Sequence, residues 1–280
     1  MAVWRAARER FPVVAFSIAL LAAWEAAVRL LDVPKYLLPA PSGILNALIA
    51  SMATLVAVHT PVTLAEAGVG LLMALAAGVV TGGAVHAFPL ARRTVYPLLV
   101  VSQTVPVMVL APLLVIWFGY GALPKLLLVA IACYFPIAVA VVDGLDSADA
   151  GMLKLLRSMG ARPWQQFIMV KVPAALSSLF TGLRVAASYA VMAAVVAEWM
   201  GAEAGLGTFI VRSAHSFRTE HVFAGIVLVS LYSVGLFVVV DAVRRRALPW
   251  EIYLREDTWH RQDSQHRAPV EYPSQGGSWE

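Results

Sequence analysis

The sequence predicts an all-α polytopic membrane protein with six transmembrane helices, and three observations lead there. Of its 280 residues 60% are hydrophobic and 14% charged, a balance that would leave a soluble globule more apolar surface than it could bury. The apolar residues gather in six blocks, each close to the roughly 20 residues that a helix needs to cross a hydrocarbon core of about 30 Å. Lysine and arginine sort between the connecting segments, as they do where cytoplasmic loops are the more basic.

The first block, Phe11 to Leu31, follows Arg5, Arg8 and Arg10. It is long for a secretory signal and no clean small-residue cleavage pattern follows, so it reads as an anchor. From Leu38 to Thr60, Pro39 and Pro41 precede a moderately apolar stretch that Pro61 closes. This predicts an amphipathic helix on the outer face, residues 38–61; a further span there would invert the charge sorting downstream. In the second block, Val62 to Ala87, Gly70, Ala74, Gly78 and Gly82 recur every fourth residue, leaving a smooth face that another helix can approach closely.

The third block, Val95 to Phe118, carries Gln103, Thr104, Pro106 and Met108 where a bend is expected. The fourth, Leu123 to Val142, offers a similar break at Tyr134 and Pro136. The fifth, Leu183 to Met200, holds Ser188 and Tyr189, and the sixth runs from Val222 to Val243. Polar or kinked positions inside spans usually face a bundle interior. Those seven residues, Gln103, Thr104, Pro106, Met108, Tyr134, Ser188 and Tyr189, are therefore candidates for a solute path, and each would serve helix packing equally well. Continuously apolar blocks exclude a β-barrel, whose strands alternate. A single cysteine, Cys133, excludes intrachain disulfides and cysteine metal cages.

With the amino terminus inside, the cytoplasmic segments hold Arg5, Arg8 and Arg10, then Arg92 and Arg93, then Lys154, Arg157, Arg162 and Lys171, then Arg244, Arg245 and Arg246. The other side has only Arg29, Lys35, Lys125, Arg212 and Arg218. Both termini are thus expected in the cytoplasm, and this sorting accounts for the net charge of +4 without nucleic acid. After Trp250 the polar, breaker-rich tail has too little apolar surface to fold. The expected organisation is a first helix within 1–37, the outer segment 38–61, a five-helix core 62–246 with a cytoplasmic loop 143–175, and a disordered tail 247–280.

That loop is much longer than a helical bundle needs. Asp149 can cap a helix in which Met152, Leu155, Leu156 and Met159 form one apolar stripe, with Gly160 ending it. Pro163 suits the first turn of a second short helix with Trp164, Phe167 and Ile168 on a face, before Pro173 stops it. Such stripes must be covered by the bundle ends or by a second protein.

Here the chain resembles the permeases of binding-protein-dependent ABC importers, whose loop carries EAA, three residues, Gly, nine residues, Ile-x-Leu-Pro. Gly160, Val170, Val172 and Pro173 match the last four positions, while Lys154, Leu155 and Leu156 stand at EAA, without its acidic residue. The resemblance continues through LAPLLVIWFGYG, CYFPIAVAVVDGL, VPAALSSLFTGLRVA and VVAEWMGAEAGLG. It implies a type I ABC importer permease fold in the inner membrane. It also implies docking on an ATPase through Leu155, Leu156, Met159, Gly160, Ala161, Arg162, Pro163, Trp164 and Phe167. The implied partners are two ATPase subunits carrying the ATP and Mg, an extracytoplasmic solute-binding protein, and a second copy of this chain or a paired heterologous permease.

The resemblance lies in the sulfonate, taurine, nitrate and thiamine-pyrimidine branch. LRSMGARPWQQF, AEWMGAEAGLG and HSFRTEHVFA look most like the permeases for thiamine-precursor pyrimidines, with sulfonate, taurine or nitrate as alternatives. The chain has no P-loop, HExxH or GxSxG motif, so no catalytic residue, metal ligand or cofactor of its own is expected. His59, His86, His215 and His221 are scattered. Glu25, Glu66 and Glu198, near membrane depth, leave an ion-coupled secondary transporter as the alternative class.

Overall fold

A computed structural model describes residues 2–249, with side chains from Pro12 onward, and their regular structure is entirely helical. The side chains of Arg5, Arg8 and Arg10, and the tail from Trp250, lie outside the described residues. Helix α1 (Ala2–Leu30) is followed by α2 (Pro41–Thr54), α3 (Thr60–Ala87), α4 (Pro89–Ser102), α5 (Val107–Phe118) and α6 (Ala122–Asp146). Then come two short helices, α7 (Ala150–Ser158) and α8 (Pro163–Gln166), and α9 (Val172–Glu198), α10 (Leu206–His215) and α11 (Thr219–Ala247). Among the described residues, five helical runs are long and apolar enough to cross a bilayer, and α4 with α5 makes a sixth, bent pair.

Three prolines expected to interrupt helices behave differently. Pro61 and Pro173 do not stop the chain: each lies at the start of a long helix that a π turn joins to the helix before it. The π turn Leu55–His59 links α2 to α3, and Phe167–Lys171 links α8 to α9. In a regular α-helix each proline ring would strike the carbonyl four residues back, that of Ala57 or Met169. The π turn widens the ladder at that carbonyl, with Thr60 N–H donating to Leu55 O and Val172 N–H to Phe167 O. The outer segment is therefore continuous with the second span, and the fifth span begins at Val172 rather than Leu183. Likewise α6 runs through Pro136 unbroken.

At Pro106 the helix does break. Val105, preceding a proline, is disfavoured in the α region, Pro106 itself is extended (φ −63°, ψ 110°), and α4 and α5 diverge by 102°. Hydroxyls satisfy backbone carbonyls at the break: Ser102 Oγ donates to Leu98 O and Leu99 O, and Thr104 Oγ1 to Val101 O. The third span is thus two helices from Pro89, not one bent helix from Val95.

The core forms around α6. Gly70, Ala74, Gly78 and Gly82 of α3 lie along it. A Cβ on Gly70 would sit 2.5 Å from Val129 Cβ, one on Gly78 2.8 Å from Ile137 Cγ2, and one on Gly82 2.7 Å from Val141 Cβ. Val129, Cys133, Ile137 and Val141 share the same four-residue spacing, so two matching ridges run parallel. On the other side α9 packs antiparallel, with Gly182 against Pro136 O and Ala140 Cβ. Fully buried Ala186, Ala187, Ala190 and Ala194 of α9 complete the core with Ala74 and Cys133. Helices α7 and α8 lie at one end of the bundle, the loop end, opposite the far end.

Candidate functional site

The loop end carries a helix–glycine–helix elbow. Asp149 Oδ1 accepts from the Gly151 and Met152 amides at 2.6 and 3.1 Å, starting α7. Gly160, at φ +81°, closes it: Ala161 N–H reaches Leu156 O and Gly160 N–H reaches Arg157 O. The elbow is then locked by two glutamines that the sequence pattern did not single out. Buried Gln166 accepts from Arg157 Nε at 3.1 Å and donates to Ala161 O at 3.0 Å, while Gln165 Oε1 accepts from the Arg162 amide at 2.7 Å. Their signal was present only as two polar residues inside the short helix.

Turned outward from this lock, Met152, Leu155, Met159, Trp164, Phe167 and Ile168 are exposed, Met159 at 74%. Leu156 and Ala161 are half-buried on its inner side, and Arg162 and Pro163 lie exposed at the turn. An apolar face of this kind on a rigid elbow is a surface made to be covered.

Directly beneath, a polar cluster ties the elbow to the bundle. Lys171, in the π turn after α8, donates to His86 Nε2 at 2.9 Å, and His86 Nδ1 donates to Asp146 Oδ1 at 2.8 Å. A lysine ammonium has no acceptor, so Nε2 must be the unprotonated nitrogen. Arg92 grips Asp146 with both nitrogens, at 2.7 and 3.0 Å, and Tyr96 donates to Asp143 at 3.2 Å. Thus α3, α4, α6 and the elbow share one network.

In the bend between α4 and α5, against α6 and α9, lies a half-open cavity of about 400 Å³. It brings together Gln103, Pro106, Met108 and Tyr189 from the seven path candidates, with Ser102, Phe135, Pro136 and Met192. The other three are elsewhere. Thr104 is exposed and bonded to its own helix, Tyr134 packs edge-on against Phe135 at 5.1 Å, and exposed Ser188 bonds Arg184 O. Among the described residues, none that lines it is charged.

The three acids near membrane depth each hold structure. Glu25 accepts from the Ser42 amide at the start of α2 and from Arg29. Glu66 pairs with Lys125. Glu198, 1% exposed, accepts from Thr63 Oγ1 at 2.6 Å and from the Gly207 amide. Thr63 Oγ1 in turn accepts from the Leu206 amide, and His59 from the Gly205 amide. Together they seat the turn from Gly201 to Gly205 and α10, a helix the apolar blocks did not reveal, on the far end.

A bundle of five apolar runs and one broken span, with a rigid exposed elbow at one end and a neutral cavity at the break, has the build of a membrane permease. A family model described as "Binding-protein-dependent transport system inner membrane component" matches residues 68–249, and the chain belongs to this family of ABC importer permeases. ATP hydrolysis in such importers falls to separate subunits. The chain is 38% identical over 235 residues to a formylaminopyrimidine transport permease, ThiX, of Halalkalibacterium halodurans, covering 84% of this chain and 94% of that one. It is 34% identical to a riboflavin transport permease, RibX, of Chloroflexus aurantiacus, over 83% and 87% of the two chains. It is also 34% identical to the taurine permease TauC of Escherichia coli, over 60% and 62%. The MetNI methionine ABC transporter, solved in inward-facing conformations, shares the fold at a TM-score of 0.61 and 20% identity, over 70% of this chain and 97% of that one.

Proposed function

We propose that this permease passes a thiamine-precursor pyrimidine across the inner membrane, paired with a second copy of itself. Two ATPase subunits, holding ATP and Mg, each receive one Gly160 elbow, and an extracytoplasmic binding protein delivers the solute at the far end. The loop end, richer in lysine and arginine, faces the cytoplasm, with both termini on that side.

The observation that carries the docking is the exposed face of Met152, Leu155, Met159, Trp164 and Phe167 on an elbow fixed by Gln166. Binding there is worth free energy only where the elbow and a groove match, and ATP-driven movement of the groove then shifts the bundle between states of differential affinity. The substrate reading is supported by the formylaminopyrimidine relative, which matches over nearly its whole length.

The test is uptake of labelled hydroxymethylpyrimidine beside a labelled alkanesulfonate, in cells with and without the gene. Loss of pyrimidine uptake alone is expected. Loss of sulfonate uptake alone would keep the importer and overturn the substrate.

A further inference from the structure

We infer that the cavity in the α4–α5 bend is a selective binding site for a neutral, planar nitrogen heteroaromatic ring on its way through the permease. The inference rests on the pyrimidine reading above and adds the residues that would recognise the ring.

Its volume of about 400 Å³ falls at the lower end of the range for small-molecule sites, room for one or two fused rings. The wall offers flat and polarisable surface: the rings of Phe135 and Tyr189 and the thioethers of Met108 and Met192. Aromatic faces stack on a heteroaromatic ring, and methionine sulfur adapts to its edge. The polar groups are few and neutral. Gln103 and Tyr189 are exposed at the cavity's open side and, among the described residues, their side chains make no hydrogen bond to the protein, so both are available to a ligand. A carboxamide offers a donor and an acceptor side by side, the pattern that a ring nitrogen flanked by an exocyclic amine presents in reverse.

The same lining argues against anions. With no lysine, arginine or histidine among the described residues of the wall, a sulfonate or nitrate would shed water with no counter-charge there, a cost that one amide does not offset. At the far end Glu66 is already paired with Lys125, and Glu198 with Thr63 and Gly207.

The break also accounts for the site's existence. Were α4 and α5 one straight helix, the wall facing α6 and α9 would be closed by side chains; the 102° divergence at Pro106 opens it.

Two measurements on the whole transporter, permease with its ATPase, test the inference. Hydroxymethylpyrimidine uptake should fall about tenfold in Gln103→Leu and in Tyr189→Leu, the loss expected for one hydrogen bond or one stacked ring. Uptake in Tyr189→Phe, which keeps the ring and loses only the hydroxyl, should fall less than in Tyr189→Leu, and ATPase turnover should persist in all three. In addition, Met108→Cys should react with a maleimide while buried Cys133 stays silent, and millimolar hydroxymethylpyrimidine, but not taurine, should slow that reaction. Wild-type pyrimidine uptake with unaffected variants and no protection would overturn the site and leave the proposed function standing. A Met108→Cys thiol that never reacts would mean a second copy fills the cavity, again overturning the site alone. Wild-type uptake of taurine in place of the pyrimidine would overturn both.

Discussion

Lys171 hands a hydrogen bond to His86 across 2.9 Å, and by doing so joins the turn after the elbow to the end of α3. His86 passes the connection to Asp146 on α6, which Arg92 of α4 also holds. A displacement of the elbow therefore reaches three further helices through polar contacts as well as through the chain itself. Replacing Lys171 by Met, or His86 by Leu, should uncouple the machine: uptake drops about tenfold, the worth of one charge-assisted hydrogen bond, while ATP hydrolysis continues. Parallel uptake and ATPase assays check this, and a proportional fall in both would refute it.

The proposed docking face can be tested separately from the fold. Met159 is largely exposed, so Met159→Asp should leave thermal stability of the detergent-solubilised permease unchanged and abolish copurification of the ATPase. Gly160→Ala should keep the apolar face but force alanine to φ +81°, costing about 1–2 kcal/mol and weakening copurification only partly.

Glu66 and Lys125 form a pair whose side chains are 8% and 16% exposed. Breaking such a pair from one side leaves a buried charge and costs about 3–5 kcal/mol, whereas replacing both by apolar residues is nearly neutral. Lys125→Met should accordingly lower stability sharply, and Glu66→Leu in the same chain should restore it. Additive losses in thermal melts would show that the two do not act as a pair.

Close approach of α3 to α6 sets a further structural test. Gly78→Leu drives a side chain into Ile137 and should cost about 1–3 kcal/mol or more by overpacking. Ile137→Ala in the same protein should recover part of that loss, measured by denaturation in detergent. Gly83→Ala, inside α3 with open space at its Cβ, should cost nothing and gain up to about 1 kcal/mol from helix propensity.

How far the sequence could be read depended on how local the cause was. The glycine stripe at Gly70, Gly78 and Gly82, the Asp149 cap and the Gly160 stop each rest on a few adjacent residues, and all can be read from spacing. Pro61, Pro106, Pro136 and Pro173 look alike in sequence, yet only Pro106 breaks its span. Whether a proline breaks a helix depends on what satisfies the freed carbonyls, and on tertiary neighbours that hold the two halves in line. Gln166 was invisible for a related reason: its partners, Arg157 and Ala161, face it only once Gly160 has folded the elbow. In the cavity, Gln103 comes from the turn after α4 and Tyr189 from α9, so the chain order of Phe135 and Met192 gave no hint that they share a wall.

The two π turns have an angular meaning. Each contains one residue more than an α-helical ladder would hold, and each is pinned by the proline two positions beyond it, whose missing N–H prevents the surplus residue from migrating along the helix. Were Pro173 replaced by alanine, the widened turn could anneal into ordinary helix. Losing one residue of register turns everything before it by about 100°, since 3.6 residues make a full turn. The face that carries Trp164 and Phe167 would then point a quarter-turn away from where it now looks. A single imino acid thus acts as the set-screw that fixes the compass bearing of the elbow on its shaft.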